Sequence, residues 1–81
     1  MPPGIPPLRP YANRSGDSGV TAFAERPDAI IVEFTGGAVY LYDSTCPGRV
    51  HVEHMRVLAR SGRGLSSYIS QHVTDYRERL R

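Results

Sequence analysis

The pair Gly36-Gly37 constrains the fold of this chain most, because it separates two runs of β-forming residues. In the run 29–35, apolar side chains recur at every second position: Ile30, Val32 and Phe34. The run 38–43 is apolar at nearly every position and centres on Tyr40-Leu41-Tyr42. Alternation at period two is typical of a strand, and consecutive glycines accept the positive φ angles of a tight turn. The chain therefore contains a predicted β-hairpin.

A third strand is predicted before this hairpin. Residues 19–25 form a short run that ends at Arg26-Pro27-Asp28, where proline and aspartate favour a turn. The three runs follow one another with short connections, which is typical of an antiparallel meander.

Two helices are predicted after the meander. Pro47 suits the first turn of a helix that runs to Arg60, and Gly62 is its candidate C-cap. On a helical wheel, one broad arc of this helix is apolar: Val50, Val52, Met55, Val57, Leu58 and Ala59. Ser66 is a candidate N-cap for a second helix, whose stripe also contains His72. The apolar members of that stripe are Tyr68, Ile69, Val73, Tyr76 and Leu80.

These elements define an α+β fold, a three-stranded antiparallel meander followed by two helices packed on one face (βββαα). Residues 18–81 form the single predicted domain. A disordered leader is predicted for residues 1–17, because five of the seven prolines lie in the first ten residues. So small a domain has a thin stability margin, which favours a partner or an oligomer.

Composition narrows the classes of function. The first ten residues lack the apolar core of a signal peptide, and no apolar run approaches the length that spans a bilayer. The single cysteine, Cys46, excludes an intramolecular disulfide, so a reduced cytoplasmic setting is expected. Every basic residue is arginine, and residues 44–81 carry seven arginines against three acidic residues. Arginine suits phosphate contacts and stacking.

The arginines of the first helix form the strongest candidate site. Arg49, Arg56 and Arg60 gather on one face, opposite the apolar arc, and Arg63 follows in the loop. Such a basic stripe is what a nucleic-acid backbone requires. The alternative is a solvated helix face, in which Glu53 pairs with Arg49 and with Arg56.

Catalytic and metal-binding interpretations are weaker. Cys46 and His51 flank the helix start, but a nucleophile and base need close mutual geometry and an oxyanion site. His51 and His54 lie one turn apart, and His72 joins them only if the helices cross there. Zinc needs three or four ligands at close range, so we expect these histidines to form hydrogen bonds rather than to bind a metal. We therefore expect no enzyme activity, no metal and no cofactor.

The role of Tyr40 and Tyr42 depends on the hairpin register. A two-residue turn pairs Phe34 with Val39 and exposes both tyrosines on the face away from the helices. A three-residue loop with Gly37 in a bulge slips the register by one and places both tyrosines in the core. Both registers remain open, and the core placement is favoured.

The ordered set of these signals resembles the KTSC domain, a small bacterial module also found at the C-terminus of some lysyl-tRNA synthetases. The matching residues cover the chain beyond the leader: Ser18, Ile30, Val32, Phe34, Gly37, Tyr40, Tyr42, Pro47, Ser61, Gly62, Leu65, Ile69 and Tyr76. Two residues depart from the family pattern, Cys46 before Pro47 and Leu41 between the tyrosines. The resemblance implies structural roles for the motif residues Tyr40, Tyr42, Pro47, Ser61 and Gly62, and it suggests RNA binding.

The expected function is a non-enzymatic binding module, for RNA through the surface formed by Arg49, Arg56, Arg60 and Arg63. The alternative is a protein-interaction or homodimerisation module. In that case Ile31, Leu41 or the tyrosine face would bury against another chain.

Overall fold

The computed structural model describes residues 5–14, 16 and 18–81. The fold is α+β, as predicted, but the antiparallel sheet of the described residues has five strands in the order β1-β2-β3-β4-β5. The strands are β1 (Arg9–Pro10), β2 (Val20–Arg26), β3 (Ala29–Phe34), β4 (Val39–Asp43) and β5 (Glu78–Arg79). The helices are α1 (Arg49–Ser61) and α2 (Leu65–His72). The predicted meander is the central part of this sheet, and a short edge strand is added on each side.

The β3–β4 hairpin adopts the three-residue loop. The N–H of Phe34 donates to the carbonyl of Ala38 at 2.8 Å, and both Gly36 and Gly37 have φ angles near +95° (+96° and +95°). Val32 consequently pairs with Tyr40, two residues along each strand from the Phe34–Ala38 pair that closes the loop. Because side chains alternate along a strand, this register puts the tyrosines on the face of Ile30, Val32 and Phe34. The favoured core placement is confirmed.

Helix α1 ends as predicted and begins slightly later. Its C-cap Gly62 has a left-handed φ of +74°, and its N–H donates to the carbonyls of Leu58 and Ala59. At the other end Pro47 precedes the helix, because Gly48 adopts a φ of +116° before the first turn. Pro47 instead forms a bridge beside Asp43 at the end of β4.

The predicted extent of the second helix is wrong. Helix α2 ends at His72, and Val73 is already extended. Beyond it the chain runs along the open edge of β4, where the N–H of Leu80 donates to the carbonyl of Val39 at 2.7 Å. The unpaired edge of β4 offers these hydrogen bonds, and they replace those of a longer helix. The predicted N-cap Ser66 accepts a hydrogen bond from Gly19 instead, and Gly64 occupies the cap position.

The disordered leader predicted for residues 1–17 is wrong for the segment around β1. Arg9 pairs with Phe23 of β2, and Tyr11 is buried in the core. The hydroxyl of Tyr11 accepts a hydrogen bond from the N–H of Leu65 at 3.2 Å, which caps the start of α2. Proline is tolerated at a sheet edge because no N–H is needed on the outer side. Residues 1–4, 15 and 17 lie outside the described residues.

The sheet is covered on both faces. The helix face carries the larger cluster: Tyr11, Val20, Phe23, Ile30, Val32, Tyr42, Val52, Met55, Ala59, Leu65 and Val73. The opposite face carries a smaller cluster of Ala24, Ile31 and Val39. Side chains from both ends of the chain, with Leu41, pack against this smaller cluster: Ile5, Leu8 and Leu80. We call this side the terminal face.

Candidate functional site

Two valines of α1 point to solvent. The side chains of Val50 and Val57 are 70% and 57% exposed, and Val50 is the most exposed large apolar side chain among the described residues. Seven residues span almost two turns, so the two valines lie on one side of the helix. The buried residues of α1 lie on the other side: Val52, Met55 and Ala59. The predicted apolar arc was therefore too broad, and its two outer members form an exposed stripe.

A groove runs beside this stripe between α1 and α2. His54, Val57, Leu58 and Tyr68 line it, and its volume is about 290 Å³. Three of these four residues come from α1, while Tyr68 projects from α2. The groove thus depends on the packing of the two helices, which the helical periodicity of α1 alone does not reveal.

The Tyr68 hydroxyl fixes the wall of the groove. It lies 2.8 Å from Nδ1 of His51 and 3.0 Å from Nδ1 of His54. One hydroxyl can donate to one ring nitrogen and accept from the other, so both contacts can be satisfied at once. The ring of His72 packs on the Tyr68 ring with centroids 4.9 Å apart. His51 and His54 are therefore hydrogen-bonded, as predicted, and His72 packs on the ring of the same tyrosine.

This arrangement does not form a metal centre. Within residues 5–14, 16 and 18–81, no three His, Cys, Asp or Glu side chains are placed to hold one ion. The surroundings of Cys46 disfavour its thiolate form. Burial raises the pKa of its thiol, and the carboxylates of Asp75 and Asp43 raise it further. Nδ1 of His51 is bonded to the Tyr68 hydroxyl.

The predicted arginine stripe is divided by a residue of the sheet. Glu25, at the end of β2, accepts hydrogen bonds from Nε of Arg56 at 3.1 Å and from Nε of Arg60 at 2.9 Å. Arg56 also donates to Glu53 at 2.9 Å and to the carbonyl of Pro27 at 3.2 Å. The Arg56 side chain is only 19% exposed. Two of the four predicted arginines therefore fasten α1 to the sheet.

Glu25 is the ionic partner of these arginines that the sequence-based prediction missed. It lies 31 residues from Arg56 and 35 from Arg60 along the chain, so no local pattern connects them. The hydrogen bond from Arg60 holds the pKa of the Glu25 carboxyl below its usual range, and Arg56 adds to this against the opposing effect of burial. The carboxylate therefore stays charged at neutral pH and neutralises part of the stripe.

Arg49 and Arg63 remain solvent-exposed at opposite ends of α1. Neither makes an ion pair with another residue in the part of the chain that the structure describes. The predicted pairing of Glu53 with Arg56 is present, whereas its pairing with Arg49 is not among the ion pairs of the described residues. The four arginines thus belong to two groups, one structural and one free at the surface.

The tyrosines of β4 do not form an open platform. Tyr42 is 4% exposed, and burial, together with the neighbouring Tyr40 and Tyr76, raises its pKa to about 12. Tyr40 lies between Phe34 and Tyr76, with ring centroids 5.7 Å and 4.5 Å away. Both tyrosines therefore pack within the domain, on the helix face of the sheet.

The terminal face is partly covered by segments of the same chain. Ile31 is buried, and Leu41 is half-buried among Ile5, Leu8 and Leu80. Ile31 is therefore not exposed for contact with another chain, because segments of the same chain cover it, whereas the contact expected of Leu41 stays a prediction. Among the described residues, the outward side of α1 is left as the principal exposed apolar stripe.

Comparisons with protein-family models, curated protein sequences and solved structures found no match to this chain. The KTSC resemblance therefore stays a prediction. In the described part of the chain, neither helix has the length and apolar character needed to cross a membrane.

Proposed function

We propose that this domain is a non-enzymatic protein-binding module whose contact surface is the outward side of α1. The observation that carries the proposal is the exposure of Val50 and Val57 beside the groove of His54, Leu58 and Tyr68. Single exposed apolar residues are common on protein surfaces. Two valines on one helix side, next to an apolar groove with a fixed wall, are typical of a contact site.

The electrostatics favour a protein over a nucleic acid. Glu25 neutralises part of the charge of Arg56 and Arg60, and Glu53 lies on the rim of the valine stripe. Charges of both signs lie along one edge of the apolar stripe, at Arg49, Glu53 and Arg60, and a polar rim beside an apolar centre is usual in protein interfaces.

An affinity-capture experiment tests this function. Immobilised wild-type protein is compared with a Val57→Asp bait in a bacterial lysate supplemented with purified copies of the chain itself. The charged side chain replaces an exposed valine, so the fold persists while the apolar contact is lost. We expect the wild-type bait to retain a protein that the variant does not.

Ser70→Asp is the matched control for this bait. Ser70 is an exposed residue of α2 that hydrogen-bonds only Ser67 among the described residues. It lies about 200° around the helix from Tyr68, on the side away from the groove. Equal capture by all three baits would contradict the proposal.

Nucleic-acid binding is the second candidate function. The exposed Arg49 and Arg63 stand at the two ends of α1, and the KTSC resemblance suggests RNA. Arg60 is 51% exposed and lies between them, about 16 Å from Arg49 along the helix. Exposed arginines supply the positive charge that a phosphate backbone requires.

The double variant Arg49→Glu with Arg63→Glu tests this candidate without touching Glu25. Fluorescence anisotropy with a labelled single-stranded RNA should show weak binding that falls steeply with salt and is lost in the variant. Reversal of Arg56 and Arg60 is a poor test, because it would oppose Glu25 and destabilise the domain. Binding that is insensitive to salt would contradict this function.

A further inference from the structure

We infer that the partner of the outward side of α1 is a second copy of this chain, bound as an antiparallel helix pair about a two-fold axis. The inference rests on the proposed protein-binding function and names its partner. It is carried by the order of four side chains along one side of the helix: Val50, Glu53, His54 and Val57.

This order is symmetric about its own midpoint. A two-fold axis between positions 53 and 54 places Val50 against Val57 of the partner subunit, and Glu53 against His54 of the partner subunit. Both contacts occur twice, so the surface is complementary to itself, as an isologous dimer requires. An arbitrary interaction surface has no reason to show this symmetry.

The shape of the surface agrees with the same axis. Val50 is 70% exposed and protrudes, whereas Val57 forms part of a groove about 10 Å further along the helix. The axis brings Val50 of each subunit over the groove of the other. Both protrusions and both grooves are then occupied, and the assembly closes as a dimer rather than growing into a filament.

The polar contacts also fit. His54 uses Nδ1 for the Tyr68 hydroxyl, which leaves Nε2 for a partner. Arg56 contacts Oε1 of Glu53, which leaves Oε2 able to accept a hydrogen bond. The antiparallel pair lets Nε2 of His54 donate to Oε2 of Glu53 of the partner subunit. A parallel pair would instead oppose Glu53 with its own copy and be disfavoured by like charge.

The interface involves one helix side and is small, so we expect a weak, concentration-dependent dimer. Sedimentation equilibrium of the full chain from about 10 µM to about 1 mM should show a mass that rises from 9.0 kDa toward twice that value. Val50→Asp and Val57→Asp should each weaken dimerisation at least ~100-fold, because the axis repeats every lost contact. Ser70→Asp should dimerise like the wild type.

Two substitutions at one position test the antiparallel register. His54→Glu and His54→Lys both lose the contact with Tyr68, so their effects on the monomer are matched. His54→Glu places two carboxylates together and should weaken the dimer about tenfold, whereas His54→Lys should preserve it. Thermal unfolding of both variants provides the folding control.

The outcomes separate this inference from the proposed function. A wild-type mass that stays at 9.0 kDa up to about 1 mM would overturn self-pairing. If the wild-type bait retains a protein other than this chain, and the Val57→Asp bait does not, the binding function stands and only the inferred partner is wrong. If both baits retain the same proteins, the binding function and the inferred self-pairing are both wrong. Equal weakening by His54→Lys and His54→Glu would overturn the antiparallel register.

Discussion

The two faces of the sheet are buried by different means. The helix face is covered by α1 and α2, which follow β4 in the chain, and residues such as Ile30 are completely enclosed there. The terminal face is covered by Ile5 and Leu8 from one end of the chain and by Leu80 from the other. Neighbouring residues Ile30 and Ile31 point to opposite faces and are both buried.

This difference identifies the surface that is left for function. A strand that is buried on both faces has a continuous run of apolar residues in its sequence, and residues 30–32 form such a run. Because the chain covers both faces itself, the exposed apolar stripe lies on the outer side of α1.

The largest loss of stability is expected from substitutions of the two neighbouring isoleucines that are buried on opposite faces of the sheet. Ile30→Ala should lower the free energy of unfolding by ~4 kcal/mol, and Ile31→Ala by ~2 kcal/mol. Ile30 is enclosed by packed helices, whereas short terminal segments can move into the space left beside Ile31. Urea unfolding monitored by circular dichroism measures both values.

The corresponding valine substitutions are a control if Ile30→Ala fails to fold. Ile30→Val and Ile31→Val should cost ~0.5–1.5 kcal/mol each, in the same order. Equal losses at the two positions would show that the terminal face is as rigid as the helix face.

The next effect concerns the place where the N-terminal segment crosses the end of α1. Gly62→Ala should cost ~2–4 kcal/mol, because φ is +74° and an added Cβ would lie 2.5 Å from Cβ of Ala12. Gly36→Ala is the matched comparison, since φ is +96° there but the space is open, and ~1 kcal/mol is expected. Thermal melts report both. If Ala12→Gly fails to recover part of the Gly62→Ala loss, the close approach is not the cause.

A smaller effect is expected where the N-terminal segment reaches the helix face. Tyr11→Phe keeps the ring that packs edge-on against Phe23 but removes the hydroxyl that accepts from Leu65. The buried N–H then has no partner, and the loss should be ~1–2 kcal/mol by urea unfolding. Tyr76→Phe, at an exposed tyrosine, should change stability by less than ~0.5 kcal/mol. Identical values for the two variants would argue against the capping contact.

The smallest effect is expected from the ion pairs that fasten α1 to the sheet. Glu25→Gln should cost ~1 kcal/mol at neutral pH. The folded pKa of Glu25 lies below the ordinary 4.5, so its contribution is present above pH 4.5 and is lost as the pH falls through the folded pKa. Urea unfolding at pH 7 and pH 3 should therefore show the gap between variant and wild type closing on acidification. Glu78→Gln, at an exposed residue of β5, should show no such gap at either pH.

Local patterns predicted most elements of the fold but not their ends. The Gly36-Gly37 hairpin, the meander and the Gly62 cap were all readable, because each depends on residues close together in the chain. The prediction failed at α2, where Val73, Tyr76 and Leu80 have helical spacing but leave the helix. A helix and an edge strand compete there, and a hydrogen-bonding edge some 40 residues earlier decides between them.

The candidate site was predicted in part. The arginines of α1 were found, but their division by Glu25 was not, since that contact joins the helix to a distant strand. Val50 and Val57 were placed in the broad apolar arc of α1, because a helical wheel shows only that a residue is apolar. Which part of a broad apolar arc is buried depends on the angle at which the helix lies on the sheet.

The sequence by itself determined the α+β class, the hairpin and the cap of α1, because turn chemistry and side-chain alternation act over a few residues. The tertiary structure alone decided that β1 and β5 join the sheet, that Glu25 holds two arginines, and that two valines remain outside. Those outcomes depend on contacts between residues far apart in the chain, whose free energies no local pattern contains.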